Sequence, residues 1–379
     1  MRSRKTVLLV CLIALIVLTG CQSTVTVKHL HPAEVNLGNY RTLAIASTGV
    51  GTMGRAYGFS NVRFDDFGLW LSSGYQSGTA SSAAQYASSM LTGALQASDF
   101  FTVYPPENTD NYLGLGMDGY KMLQNKGVTA VVTSSISYFD LDENTYTEDV
   151  TEYRTDKTTG KSVKYVTGKK YYLEQTVTLT LTYAVKDLQS GTILTSDSLT
   201  GKRSRDTLIA QRKYAGSADF DDERYYSYSY APSVNDMVQT IINSFRTPIQ
   251  RKLTPTWRTE EIALMSNKPK VATVADAYKL ADQGSVEAAY QVFISEWNNS
   301  RHVPSGYNAA LMLEAEGKLD DAVTLMNEVA TSSGNGQAYS ALSRMQSAQK
   351  NYSDAMNQMS GTSPSGESGT SKTQIVTGF

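Results

Sequence analysis

The sequence predicts an α+β domain followed by an all-α helical-repeat domain. Two observations carry this. Strand and helix patterns alternate as β-α-β-α-β-β-β-α over residues 36–265, and the composition turns to Ala, Leu, Met and Glu without strand signals after Lys268-Pro269. A third is a recurrence: Gly284, Gly317 and Lys350 are 33 residues apart, as are Ala289, Ala322 and Ala355, and Ala277, Ala310 and Ser343.

The chain opens with a targeting segment over 1–20. Arg2, Arg4 and Lys5 precede a twelve-residue apolar run, Val7 to Leu18. A spanning helix needs roughly 20 apolar residues, so this run reads as a signal peptide with a small-residue cleavage site. Leu18-Thr19-Gly20-Cys21 resembles a lipobox, the acylation site of bacterial lipoproteins. Cys11 lies inside the discarded core, so Cys21 is the one cysteine of the mature chain and forms no internal disulfide. A single acyl chain anchors only reversibly, at about 0.8 kcal/mol per buried methylene. The two or three chains of bacterial lipoproteins would hold. Gln22 stands where an aspartate marks inner-membrane retention in enterobacterial lipoproteins, which implies the outer membrane, periplasmic face. Cleavage shifts the formal charge from −2 to −5, and no basic block remains, which argues against nucleic-acid partners.

Residues 21–35 read as a polar tether. Arg41–Ser47 is a strand candidate between glycines, and Ala80–Ala97 a helix with Ala83, Ala87, Leu91, Ala94 and Leu95 on one stripe. Phe100–Tyr104 is a strand stopped by Pro105-Pro106, Met117–Lys126 a helix closed by Gly127, and Val128–Phe139 a β-branched strand. Two further strands, 146–153 and 162–172, flank the turn 156–161. Glu174–Asp187 alternates with period two, and Thr192–Leu199 follows a Gln-Ser-Gly turn. Residues 215–232 form an acidic, tyrosine-rich loop. Ser233 and Asp236 have the spacing of a capping box before the apolar stripe Val234, Met237, Val238, Ile241, Ile242 and Phe245, which Pro248 ends.

The helical phrases Gly-Ser-Val-Glu-Ala-Ala, Gly-Lys-Leu-Asp-Asp-Ala and Lys-Asn-Tyr-Ser-Asp-Ala precede the recurring alanines. Small residues at a step near 34 over 270–358 resemble tetratricopeptide repeats, which implies a surface for a protein partner. The Ser/Gly/Thr tail 360–379 reads as disordered.

Candidate chemistry is sparse. Gly49-Val50-Gly51-Thr52-Met53-Gly54 follows a strand, but no helix pattern opens there to meet a phosphate, so a glycine loop is the better account. The pair His29 and His31 has no Cys or carboxylate cluster beside it, and the acidic run 219–223 lacks EF-hand spacing. No nucleophile–base constellation can be assembled. The expectation is a non-enzyme with no metal and no cofactor beyond the acyl lipid on Cys21. Partner contact is expected at Tyr225, Tyr226, Tyr228 and Tyr230, and at Tyr278, Tyr290, Trp297, Tyr307 and Asn308 in the repeats.

Four passages carry a further resemblance. Pro32–Leu37 before Tyr40–Ala46, Phe100–Val103, Gly127–Ile136 and Asp187–Leu194 resemble the strands of lipoproteins related to the curli-secretion protein CsgG and to the TolB amino-terminal domain, over about 32–255. Val103-Tyr104-Pro105 departs from the arginine that closes the second strand in many relatives. The resemblance implies an α/β sandwich and an envelope scaffold or adaptor, with an unknown envelope protein partner. Its alternative is an oligomeric outer-membrane export channel, in which this chain is a homo-oligomer component. In the hairpin Val163, Tyr165, Tyr171 and Leu173 share one face of an alternating strand, but so does Lys169, and a charge facing lipid at mid-bilayer costs about 2–4 kcal/mol.

The lipobox generates the first prediction. Cys21→Ser should accumulate as an unprocessed precursor without acyl label; mature, acylated protein from that variant would overturn the assignment.

Overall fold

A computed structural model of the chain describes residues 23–51, 62–64, 69–71, 79–214, 226–227 and 232–361. The lipobox, the tail 362–379 and most of the tyrosine-rich loop lie outside the described residues. The described chain forms two compact units: residues 39–254, and residues 23–38 together with 255–361. The predicted α+β and helical regions are both present, but their boundaries differ from the expected ones.

In the first unit a mixed sheet runs β10-β9-β8-β7-β2-β6, with β2 Thr42–Ile45, β6 Thr102–Tyr104, β7 Ala130–Thr155, β8 Ser162–Asp187, β9 Ile193–Lys213 and β10 Tyr226–Ser227. β2 is parallel to β6 and β7, β3 (Gly49–Val50) also pairs with β7, and β4 (Val62–Phe64) pairs with β5 (Leu69–Leu71) in a separate two-stranded sheet. The remaining pairs are antiparallel. Strands read as separate pieces are continuous. β7 joins 128–139 to 146–153, and β8 joins 162–172 to 174–187. From Tyr171 to Val185 every second residue of β8 is buried, and the alternate face carries threonines. Those hydroxyls pair across strands, with Thr176–Ser204 and Thr180–Thr200 both at 2.8 Å. One face is core and the other meets water, as antiparallel sheets permit.

Bulges correct the face reading of the hairpin. Val150 pairs with Gly168 but Thr151 pairs with Val166, so Thr167 is an extra residue that reverses the alternation. Tyr171 and Leu173 are therefore buried, whereas Val163 and Tyr165 are exposed.

Helix α1 (Thr79–Gln96) lays Ala83, Ala87, Leu91, Ala94 and Leu95 into the core. Helices α2 (Pro106–Leu113) and α3 (Met117–Asn125) follow β6; Pro106 starts α2 in addition to ending the strand, because a proline in the first turn forgoes no helical hydrogen bond. The same reason corrects Pro248, which lies in the first turn of α5 (Arg246–Leu253), directly after α4 (Asn235–Ser244). The expected capping box does not form. Val234 is the cap without a side-chain bond, and Asp236 instead accepts from Arg205 Nη1 at 3.0 and 3.1 Å. Gly201 on β9 makes room for α4: a Cβ there would stand 2.5 Å from Ile241 Cγ2.

The second unit corrects the tether. Thr24–His31 is strand β1, antiparallel to β11 (Thr256–Ala263) in the register Thr24↔Ala263 to His31↔Thr256. Val25 and Val27 enter one core with Leu264, Val274 and the helices, so the segment cannot be a solvated linker. Helices α6 (Ala275–Asp282), α7 (Val286–Ser300), α8 (Val303–Ala315) and α9 (Leu319–Ser333) form two hairpins, and α10 (Gly336–Ser360) is a single long helix. The 33-residue step has a physical basis. Gly284 and Gly317 hold φ of 76° and 78° at the two turns, and Ala277, Ala289, Ala310, Ala322 and Ala355 are fully buried at helix contacts. At the third position Lys350 replaces glycine, and α10 runs straight through.

Among the glycines of the second unit Gly306 has the least room, with Val329 and the Trp297 ring at 2.6 and 2.7 Å from a built Cβ. Gly306→Ala should cost about 1–3 kcal/mol through overpacking. Gly93 of α1 has nothing within 4 Å, so Gly93→Ala should gain up to about 1 kcal/mol. Urea unfolding of the two variants checks the opposite signs; equal behaviour would contradict the packing.

Candidate functional site

The second unit has a cleft of about 370 Å³ bounded by β1, β11, the turn between α8 and α9, and the later half of α10. Its size is that of small-ligand and side-chain pockets. Alternation builds the first wall. His29 lies on the core face with Val25 and Val27, while Lys28 and Leu30 share the other face, Lys28 exposed and Leu30 buried. Across the ladder Leu30 pairs with Trp257, on the polar face of β11 and 55 % exposed. Tyr352 of α10, 45 % exposed, lies opposite at 6.5 Å between ring centroids and 56° between planes. Lys28 Nζ sits 5.3 Å from the Trp257 ring centroid.

The floor is Glu314, whose side chain has no exposed surface. Arg344 binds it with both terminal nitrogens, Nη1 to Oε1 and Nη2 to Oε2 at 2.6 Å. His29 Nε2 lies 3.1 Å from Oε1 without the alignment of a hydrogen bond. Burial raises the Glu314 carboxyl, but the contacts with His29 and Arg344 outweigh it and hold the group below the usual carboxylate range. At the rim Lys318 is spoken for by Glu316 at 2.8 Å, and Asp320 accepts from Gln349 at 2.6 Å. This floor holds strands to helices. It offers no free base, because every strong acceptor of Glu314 is occupied.

The residues expected to meet a partner are mostly elsewhere. Trp297 and Asn308 are fully buried and Tyr307 nearly so, while Tyr278 and Tyr290 pack against the same core. Asn308 accepts from Met265 N–H at 2.8 Å and donates to Met265 C=O and Tyr278 Oη, both at 3.0 Å. Burial pushes the Tyr278 phenol up to about 12, against a lowering by its Asn308 bond. Asn308 and Tyr278 clasp the chain leaving β11 at Met265, and Trp297 and Asn308 are corrected from contact surface to core. Tyr307 alone reaches a groove, beside Gln337, Ser340 and Arg344. Tyr225, Tyr228 and Tyr230 lie outside the described residues, and Tyr226 is placed on β10 opposite Gln211.

Trp257, Tyr352, Lys28, His29 and Glu314 were not singled out as a site from sequence. The available signal was a tryptophan on the polar face of an alternating strand, Thr-Trp-Arg-Thr-Glu-Glu. Among the described residues no group of three or more His, Cys, Asp and Glu could hold a metal ion, and no helix is long and apolar enough to cross a membrane.

No family model and no curated protein matches the chain. Solved structures with local likeness include a neuraminyllactose-binding hemagglutinin homolog of Helicobacter pylori, 11% identical, covering 59% of this chain and 88% of that one at a TM-score of 0.28. A PelC dodecamer of Paraburkholderia phytofirmans is 13% identical over 60% and 97%, with a TM-score of 0.22. Lipoprotein GNA1162 of Neisseria meningitidis is 10% identical over 55% and 97%, at 0.25. Scores this low carry no argument about this chain, and its reading rests on its own residues.

The sign of the pH response follows from Glu314. A carboxyl held low in the fold stabilises above its unfolded value, about 4.3, and that stabilisation is lost as pH falls through the lower folded value. Protection of the amides across 303–333, taken relative to their intrinsic exchange at each pH, should therefore fall on acidification below about pH 4.3, with a flatter response in Glu314→Gln. Arg344→Ala, which leaves the buried carboxylate with His29 alone, should cost about 3–5 kcal/mol at neutral pH. Unchanged exchange in Arg344→Ala would show that the pair contributes nothing.

Proposed function

We propose that the chain is a non-enzymatic adaptor, a lipoprotein anchored through acyl chains on Cys21 to the outer membrane at its periplasmic face. It holds an envelope protein partner on its helical unit. The tetratricopeptide-like character of the helices and the CsgG/TolB-like character of the sheet unit are part of this proposal. One observation carries it. Trp257 and Tyr352 are two large aromatics left exposed across a cleft of a well-packed unit. Tryptophan and tyrosine are enriched where interfaces concentrate their energy.

The anchor geometry supports the same reading. β1 begins at Thr24, three residues after Cys21, and three residues reach about 10 Å at most. The helical unit is therefore the one covalently next to the acyl chains, and Lys28 and the cleft lie four residues further along β1.

A second reading, the oligomeric export channel, draws on the β7–β8 hairpin, where Tyr153, Val163, Tyr165 and Val166 are exposed. Lys164 stands among them, paired with Tyr153, and Glu148↔Lys170 and Asp149↔Lys169 follow toward the sheet. That mixture favours a hairpin in water over a lipid-facing band.

Cross-linking in intact envelopes followed by affinity capture tests the adaptor. The Trp257→Ala/Tyr352→Ala protein should lose at least about tenfold of a specific partner captured by the native chain, a difference of roughly 1.4 kcal/mol. Equal recovery would sink the reading, and a large ring with conductance in liposomes would favour the channel.

A further inference from the structure

We infer that the Trp257–Tyr352 cleft takes a basic side chain, arginine or lysine, presented by a protein partner. The inference rests on the adaptor reading and names the chemistry held there. Aromatic faces attract cations through their ring quadrupole, and tryptophan does so best. The chain already uses this property: Lys28 Nζ stands 5.3 Å from the Trp257 centroid. Tyr352 supplies a second ring at 56° to the first, so an incoming cation meets two aromatic surfaces.

Apart from Lys28, which already sits over the Trp257 ring, the charges around the cleft point the same way. Glu314 is matched by Arg344, and Lys318 lies 2.8 Å from Glu316 and 3.7 Å from Glu287. The carboxylates left are Asp320 and Asp321, both exposed. Asp320 accepts only the Gln349 amide, and no cation pairs with either among the described residues. Their place in the first turn of α9 accounts for their being carboxylates. It does not account for two exposed aromatic rings in the same cleft. An acidic segment would meet Asp320 and Asp321 as like charges, and a purely apolar one would strip water from them without return. A guanidinium or ammonium satisfies both walls, stacking on Trp257 while reaching the aspartates. At the floor the Glu314 carboxylate is already matched by Arg344, so it does not draw the incoming cation away from the aspartates.

Calorimetric titration of the full acylated protein in detergent tests this with three dodecapeptides of Gly and Ser. One carries three arginines, one glutamines at those positions and one glutamates. The arginine peptide should bind at least about tenfold more tightly than the glutamine peptide, and the glutamate peptide should show no binding. Trp257→Ala and Asp320→Asn/Asp321→Asn should each weaken the arginine peptide about fivefold or more. Trp257→Phe, which keeps a ring, should stay within about threefold of the native chain. Lys28→Ala removes the internal competitor and should tighten binding. Equal affinity for arginine and glutamine peptides, or indifference to Trp257→Ala, overturns the inference while leaving a general peptide-binding adaptor intact. Failure of all three peptides also overturns it, and the cross-linking result then decides the adaptor reading by itself.

Discussion

An ionised carboxylate with no exposed surface has to find its counter-charges inside the protein, and Glu314 does so by drawing on two other elements at once. Arg344 comes from α10 and His29 from β1, so the floor of the cleft joins a helix of the second hairpin, the last helix and the first strand. The consequence runs outward through the strand ladder. With His29 fixed on the core face, Val25 and Val27 are fixed there too, and the register sets Trp257 opposite Leu30. A one-residue slip would turn Val25, Val27 and His29 to water and leave Glu314 short of a neighbour. The aromatic wall thus inherits its place from a buried charge that takes no part in binding.

This dependence explains what could be read in the sequence and what could not. Glycines and alanines at a 33-residue step marked the helical hairpins, because the turn requires φ near 77° and the helix contacts admit only small side chains. Period-two alternation in 174–187 marked β8, since one face is core and the other solvated. In Thr24–His31 the same alternation is present, but threonine, lysine and histidine lower its apolar contrast, and its partner lies more than 220 residues away in β11. Local composition suggested a tether. Long-range pairing made it a strand.

Some of the expected partner residues lie in the core for a related reason. Tyr278, Trp297, Tyr307 and Asn308 are amphipathic or polar residues that look like contact surface by type. In the fold Asn308 spends its amide on the Met265 backbone, and Trp297 lies against Gly306, whose missing side chain makes room for the indole. Whether an aromatic residue is core or surface depends here on which glycine or carbonyl faces it, and that is set by tertiary contact. The bulge at Thr167 is a similar case, since one inserted residue separates buried Tyr171 from exposed Tyr165 although strict alternation puts them together.

The last repeat shows how the cleft arises from a departure. Val286, Leu319 and Tyr352 occupy equivalent places at the 33-residue step, each two residues after Gly284, Gly317 and Lys350. Val286 and Leu319 begin new helices after a glycine turn and pack against the core. Lys350 makes no such turn, so α10 continues and carries Tyr352 past the core to face Trp257. A glycine turn at 350 would fold the helix back as it does at 284 and 317, and the wall formed with Ala348 and Gln349 would be lost. The residue that breaks the repeat is therefore what opens an aromatic cleft at its end.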